Sequence, residues 1–267
     1  MLRLLLVIAA AVALVLGLRN LLRRWLTETE IQHAEKVIPF LLGSIGGFYG
    51  LIAGFMLSNS WAELKSLHGT VTAEVNALID LGRVAVHLPP PVSAELTRGV
   101  RHYMETVVTE ELPSMSEGRT SPSTTAALEN LWRLLGQYHP ETEWETSLRE
   151  VALAKLVALS EQRRIRSFSS RERMPDVLWW ILLSGGIIVV MGACVASLNY
   201  RRPAGVFLGA LTGIVTLVLF VIKALDQPFS YELATGAAEY RVIWELFEAE
   251  GDSTASPFES LQTGTPR

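Results

Sequence analysis

The sequence predicts an all-α membrane protein with four transmembrane helices in two hairpins and a helical soluble domain between the second and third spans. Two observations predict this fold class. Long uncharged apolar runs lie toward both ends of the chain. The region between them repeats apolar residues at steps of three and four, which is a helical period. The predicted segments are a first span at 2–22, a second at 37–57, the soluble domain at 58–176, a third span at 177–198, a fourth at 204–225, a post-membrane segment at 226–250 and a disordered tail at 251–267.

The composition excludes several classes of protein. Of the 267 residues, 49% are hydrophobic and only 19% are charged, whereas soluble proteins are about 25% charged. The net charge of −4 comes without a basic tract that would neutralise a row of phosphates, so nucleic acid is not an expected partner. The single cysteine, Cys194, lies in an apolar run and builds neither a disulfide framework nor a metal cluster.

Three of the four spans follow from length. Residues 37–57, 177–198 and 204–222 contain no charged residue, and each is long enough as a helix to cross a hydrocarbon core about 30 Å thick. The apolar run at 4–18 is shorter, so a span there must extend beyond it or let Arg3 snorkel. Because no small-residue cleavage site follows this run, we interpret it as a retained anchor rather than a signal peptide.

Aromatic residues and one short turn predict the two hairpins. Trp25 follows the first span, Trp61 follows the second and Trp179 lies at the start of the third, and such rings favour the headgroup layer. The turn at 199–203 is too short for anything but a hairpin between the third and fourth spans. Basic residues are divided almost evenly between the two sides, so charge alone leaves the orientation in the membrane open.

Four amphipathic helices are predicted for the soluble domain. They are expected near 61–88, 92–111, 128–138 and 142–171. A polar, proline-containing loop is expected at 112–123, between the second and third of them. Glu74 lies beside the apolar stripe of the first helix, and a solvated position is the favoured interpretation for its carboxylate.

The second span carries two different faces. Glycines recur every four residues at Gly46, Gly50 and Gly54. Such a ridge lets another helix approach closely. About 160° away around the helix lie the bulky residues Phe48, Ile52 and Phe55. They are candidate pore-lining residues, because apolar constrictions gate ion pores by dewetting when several subunits contribute the same ring. The alternative is that these side chains simply face lipid or protein.

A basic run precedes the third span. It consists of Arg163, Arg164, Arg166, Arg171 and Arg173. Close to a membrane, such residues attract anionic headgroups with about 1 kcal/mol per charge, and this interfacial role is the favoured interpretation. The alternative is that they form a positively charged vestibule.

The sequence contains no pattern typical of an enzyme or a metal site. Its five histidines are scattered, and none forms a metal-binding pair with acidic support. A phosphate-binding glycine loop, a nucleophile elbow and a zinc-helix motif are all absent. We therefore expect no catalytic residue, no metal and no cofactor. Lys223 and Asp226 close the fourth span three residues apart and are expected to form an ion pair.

Short motifs distributed along the chain carry a family resemblance. They are Gly46-Gly47-Phe48-Tyr49-Gly50-Leu51-Ile52-Ala53-Gly54-Phe55, Trp61-Ala62-Glu63, Glu74, Leu88-Pro89, Tyr103 with Val107-Val108, Pro175-Asp176-Val177-Leu178-Trp179 and Leu225-Asp226-Gln227-Pro228-Phe229. In order and spacing, these motifs resemble the bestrophin-like domain family of bacterial membrane proteins.

The resemblance implies kinship with bestrophins, which are pentameric anion or cation channels whose second helix lines the pore with bulky apolar residues. It implies a homo-oligomer in the cell inner membrane, with inorganic ions as cargo and the helical domain in the cytoplasm. In bestrophins, a Pro-Phe-Gly segment with an acidic cluster follows the last span and helps to bind calcium. Here Asp226, Pro228 and Phe229 form the corresponding segment, but Ser230 replaces the glycine and no acidic run follows.

Two hypotheses about function follow from the sequence. The first is an ion channel in which the second span of each subunit surrounds an axis and the soluble helices extend the conduit. The second is a non-conducting scaffold or sensor, in which the helical domain binds a partner and the glycine ridge only holds subunits together. A membrane enzyme is not expected, because the spans lack the clustered His, Asp or Glu that intramembrane chemistry needs.

Overall fold

The computed structural model describes residues 2–115, 118–170, 173–198 and 202–226, together with Tyr240. Within them, the backbone alone is described for 28–37, 39 and 202. The helices are α1 (Leu2–Trp25), α2 (Glu28–Val86), α3 (Pro90–Thr106), a π-helical turn (Val107–Glu111), α4 (Leu112–Met115), α5 (Pro122–Gln137), α6 (Glu143–Ser169), α7 (Asp176–Ala196) and α8 (Arg202–Leu225). Every regular element in this part of the chain is helical, as the sequence predicts.

Four helices are long and apolar enough to cross a membrane. They are Leu2–Trp25, Phe40–Val86, Asp176–Ala196 and Pro203–Leu225. Each overlaps one of the predicted spans, so the prediction of an all-α membrane protein is confirmed. A helix is the expected form for such segments, because lipid offers no hydrogen-bond partner to an open backbone. The two-hairpin layout stays a prediction, and the predicted tail at 251–267 lies outside the described residues.

Helix α2 is one continuous helix of 59 residues. The sequence predicts a boundary at residue 58, between the second span and the soluble domain. The helix passes this point because Ser58-Asn59-Ser60 contains neither glycine nor proline to interrupt it. The chain divides into two compact units, with unit 1 formed by Met1–Ala62 and Met174–Asp226, and unit 2 by Glu63–Arg173 and Gln227–Arg267.

In unit 1, α1 packs against α8 along a second series of glycines. A Cβ atom added at Gly205, Gly209 or Gly213 lies within 3.4–3.8 Å of an α1 side chain. The nearest apolar atoms belong to Leu16, Val12 and Ile8, respectively. Small residues at a spacing of four bring the two backbones close together, which is how membrane helices associate without a hydrophobic driving force.

Helix α2 packs against α7 through Tyr49. Its ring lies over two glycines, so a Cβ added at Gly185 would be only 2.7 Å from Cδ2 of Tyr49, and one at Gly186 only 3.0 Å from its hydroxyl oxygen. One turn further along α2, Ala53 forms a small buried cluster with Leu182 of α7 and Ile222 of α8. Tyr49 and Ala53 therefore face other helices of the same chain.

Asp226 connects the end of α8 with the start of α7. Its carboxylate accepts a hydrogen bond from the backbone N–H of Met174 at 2.7 Å and lies 3.7 Å from Nζ of Lys223. The predicted pair of Lys223 and Asp226 is thus confirmed, and the lysine also lies over the ring of Trp179, 5.0 Å from its centroid. The Asp226 side chain is only 6% exposed.

Unit 2 has a core shared by α2, α3, α5 and α6. The core includes Val71, Leu78, Leu81, Leu96, Val100, Tyr103, Leu131, Leu135, Ala152, Leu156 and Leu159. Ser121 and Thr142 set the starts of α5 and α6, because their hydroxyls accept hydrogen bonds from the backbone N–H of Thr124 and Glu145. Helix α3 begins at Pro90, where proline is favoured in the first turn.

The predicted loop at 112–123 is partly wrong. Helix α3 continues through the π-helical turn into α4, which ends at Met115. Glu111, Leu112 and Met115 are buried there. The polar composition of this stretch suggested a loop, but tertiary packing of Leu112 and Met115 into the core keeps the backbone helical.

Candidate functional site

The predicted pore-lining residues form one exposed apolar face of α2, here called the neck face. Phe48 is 71% exposed, Phe55 is 66% exposed and Ile52 is 37% exposed. On a helix their positions fall within about 60° of one another. No other helix in the described part of the chain covers the two phenylalanines. Rings of this size contribute strongly to the stability of a core or an interface when they are buried.

The face of α2 that packs inside the chain lies beside the neck face. Tyr49, Ala53 and Met56 pack against α7 and α8, and at about 100° per residue they lie roughly 80–140° from Phe48. The contacts of α2 within unit 1 therefore lie on one side of this helix. The neck face is free to meet lipid, water or a second copy of the chain.

The glycine ridge of α2 has room beside it. A Cβ atom added at Gly46, Gly50 or Gly54 meets nothing within 4 Å among the described residues. The α8 glycines behave differently, because α1 side chains already occupy their surface. Two similar glycine patterns thus differ in use: the α8 pattern packs within the chain, whereas the α2 pattern is unoccupied by any described helix of the same chain.

The exposed apolar surface of α2 is wider than the neck face. Phe40 is 78% exposed and Leu51 is 71% exposed, and both lie on the arc between the neck face and the glycine ridge. Together these residues leave more than half of the α2 circumference without a partner inside the chain.

Unit 2 contains a second candidate site, a fully buried network of charged residues. The Arg166 guanidinium donates to both Glu74 oxygens, from Nε at 2.6 Å and from Nη2 at 3.0 Å. Its Nη2 also donates to Glu111 at 3.1 Å. Arg163 binds the same Glu111 through two parallel hydrogen bonds of 3.1 and 2.7 Å. The two arginines and two glutamates balance in charge, as a buried ionic group requires.

Two tyrosines complete this network, here called the buried ionic network. The Tyr103 hydroxyl donates to Glu74 at 2.7 Å, and the Tyr240 ring lies over the Arg166 guanidinium, 5.8 Å from centroid to Cζ. Tyr240 and Tyr103 are both 0% exposed. Such a ring contributes a cation–π attraction that is stronger when desolvated.

Burial and charge shift the pKa values of Tyr103 and Arg166 in the buried ionic network. Burial raises the pKa of the Tyr103 hydroxyl well above its usual range, and the Glu74 carboxylate raises it further. Burial opposes the charge on Arg166, but Glu74 holds the pKa of this guanidinium above its ordinary value. Because the pKa of the Tyr103 hydroxyl is higher in the folded state than in the unfolded state, its protonated form stabilises the fold. This contribution is complete below the ordinary value of about 10 and is lost as the pH rises through the raised pKa.

The chain was compared with known proteins. A family model, the bestrophin-like domain, matches residues 9–237. The chain belongs to the bestrophin-like domain family. No curated protein matched the chain, and no solved structure matched it either. All candidate residues of this bestrophin-like protein, from Gly46 to Phe229, lie inside the matched region, so the resemblance seen in the sequence is confirmed at the level of the family.

The structure divides the basic run of this bestrophin-like protein. Arg164 and Arg173 are exposed, whereas Arg163 and Arg166 lie in the interior and bind Glu111 and Glu74 rather than a membrane surface. Arg171 lies outside the described residues. The missed signal is the spacing, because Arg163 and Arg166 continue the buried stripe of α6 that passes through Leu156 and Leu159.

The solvated position favoured for Glu74 is wrong, since its side chain is 0% exposed. Glu74 falls between Val71 and Leu78 on the buried side of α2, where a carboxylate is tolerated only with charged partners. The sequence of α2 alone does not show those partners, because they come from α3 and α6. Of the segment after the fourth span, Asp226 is described and Pro228 and Phe229 lie outside the described residues.

Proposed function

We propose that this bestrophin-like protein is a homo-oligomeric ion channel in which the α2 helices of several copies surround a conducting axis. The observation that carries the proposal is the neck face, whose two phenylalanines are 71% and 66% exposed in the single chain. Assembly around an axis would bring these rings together, and an apolar ring of this kind gates an ion pathway by dewetting.

Membership of the bestrophin-like family supports this proposal. The family is similar to the bestrophins, in which the second helix lines the pore with bulky apolar residues. By the same analogy we propose a multi-pass protein of the cell inner membrane, with unit 2 in the cytoplasm, inorganic ions as cargo and a pentamer as the assembly. Fold-level analogy of this kind needs a functional test, since one fold hosts several functions.

Ion flux through liposomes containing the purified protein tests the proposed function. We expect Phe48→Ala to raise the flux several-fold, because a smaller side chain widens and wets the constriction. Phe207→Ala provides the matched control, since Phe207 is 76% exposed but lies on α8, and it should leave the flux unchanged.

Two outcomes would contradict the proposal in different ways. Equal flux in wild type and Phe48→Ala, with conduction present, would show that the neck face does not line the pathway. If no tested ion crossed the liposome membrane, the result would favour the non-conducting scaffold or sensor, in which the glycine ridge joins subunits without forming a pore.

A further inference from the structure

A polar cavity of about 260 Å³ lies in unit 2 beside the buried ionic network, between the first turn of α5 and α6. Its lining residues are Thr120, Thr125, Ser160, Arg163, Arg164, Ser167 and Phe168. Two guanidiniums and four hydroxyls thus share one small space, here called the polar pocket. Among the described residues, no carboxylate lines it. The hydroxyls of Ser160 and Thr125 already donate to the backbone carbonyls of Leu156 and Ser121. The two arginines and the hydroxyls of Thr120 and Ser167 keep donor hydrogens, so the pocket suits an acceptor.

Arg163 gives the polar pocket a fixed guanidinium. The residue is 9% exposed, and its Nε and Nη2 atoms are held by Glu111 while Nη2 also donates to Thr125 at 3.0 Å. Its third nitrogen, Nη1, has no hydrogen-bond partner in the described ranges. A buried arginine held in place by two carboxylate bonds presents its remaining donor with little loss of conformational entropy.

Arg164 adds a positive charge that nothing described neutralises. Its side chain is exposed and forms no ion pair or hydrogen bond with the described residues. Glu111 is already bound by Arg163 and Arg166, and Glu110 accepts from Ser121. An anion in the polar pocket would therefore balance the charge of Arg164.

Two hydroxyls complete the donor set, and the start of a helix lies beside it. Ser160 and Thr125 already take part in hydrogen bonds to other residues, whereas the hydroxyls of Thr120 and Ser167 have no partner among the residues described. Thr120 and Thr125 flank the start of α5, which is 16 residues long. The N-terminus of a helix carries a partial positive charge that favours anions.

We propose that the polar pocket binds a phosphate group. Several donors converge on one small cavity, and guanidinium–phosphate contacts use charge-assisted hydrogen bonds that are roughly twice as strong as neutral ones. The phosphate comes either from a free phosphate ion or from a lipid headgroup, since both present the same oxygens. The site does not depend on conduction, so its failure would leave the proposed channel untouched.

Calorimetric titration of the full-length protein in detergent with inorganic phosphate tests the proposal. The ionic strength is held constant, and chloride is titrated in parallel as the reference anion. We expect saturable binding to one site per chain. Arg164→Gln should weaken this binding by at least about tenfold, because it removes one charged hydrogen-bond donor. Since Arg164 is exposed, the variant should fold normally.

A matched control separates the polar pocket from general charge. Arg173→Gln removes an equally exposed arginine outside the pocket and should leave phosphate affinity unchanged. Equal weakening by both variants would overturn the proposal, because it would show a diffuse electrostatic effect. Unchanged affinity in Arg164→Gln would overturn it as well.

A second titration identifies the source of the phosphate. Dihexanoyl phosphatidylglycerol, a soluble anionic lipid, is compared with inorganic phosphate under the same conditions. Tighter, Arg164-dependent binding of the lipid would assign a headgroup, and tighter binding of inorganic phosphate would assign a free ion. Lack of saturation by either ligand up to about 10 mM, a range that covers weak sites, would overturn the proposal.

Discussion

Replacing Arg166 by methionine is expected to lower the free energy of unfolding by about 3–5 kcal/mol. Arg166 is 0% exposed and is the direct partner of Glu74. Without it, the Glu74 carboxylate would remain buried without a cationic partner among the described residues, although the Tyr103 hydroxyl would still donate to it. An uncompensated buried charge destabilises a fold far more than the lost ion pair itself would suggest. Thermal or denaturant unfolding in detergent, followed by circular dichroism, measures the loss.

Two further variants define what the Arg166→Met measurement means. Arg164→Met changes a neighbouring exposed arginine, and we expect it to stay within about 0.5 kcal/mol of wild type. Glu74→Leu combined with Arg166→Met removes both charges and should recover part of the stability, as apolar replacement of buried ion pairs does. A stability of Arg166→Met equal to that of Arg164→Met would contradict the buried ionic network.

The second large effect concerns the two glycine patterns. Gly50→Ile is expected to leave the fold of the single chain intact, because a Cβ at Gly50 meets nothing within 4 Å, while weakening assembly. Overpacking of a helix contact typically costs about 1–3 kcal/mol, and about 1.4 kcal/mol shifts an association constant tenfold. Molar mass in detergent by light scattering should therefore fall toward the monomer.

Gly209→Ile is the matched variant for Gly50→Ile. Its Cβ would lie 3.4 Å from Cγ1 of Val12, so the larger side chain should separate α1 from α8 and lower thermal stability. We thus expect one variant to affect assembly and the other to affect folding. A loss of folded protein in Gly50→Ile, or an unchanged molar mass at normal stability, would show that the α2 ridge does not join copies.

The transmembrane part of the fold was predictable because lipid imposes one constraint on it. In lipid, backbone N–H and C=O groups find no water and must bond to each other. A single uncharged run such as 177–198 achieves this by forming a helix. The ends of α1, α7 and α8 lie within a few residues of the predicted ones, as at α7 (Asp176–Ala196), whereas α2 continues far beyond residue 57. What length does not show is which helices meet.

Helix contacts and buried charges were harder to predict, because they depend on partners distant in sequence. Arg166 and Glu74 are separated by 92 residues. Charged residue types are usually found at the surface, so the position of Arg166 on the buried stripe of α6 is the only local sign of its burial. Similarly, the glycines of α2 and of α8 follow the same spacing, and only the position of α1 distinguishes them. The Gly205, Gly209 and Gly213 pattern was readable in the sequence, but its partner was not.

Images of single particles of the detergent-purified protein test the central claim most directly. We predict a ring of identical subunits with α2 as the innermost helix and Phe48 facing the axis, since this is the bulky apolar face left uncovered within the chain. A monomeric particle, or a ring whose axis is lined by another helix such as α8, would contradict the account.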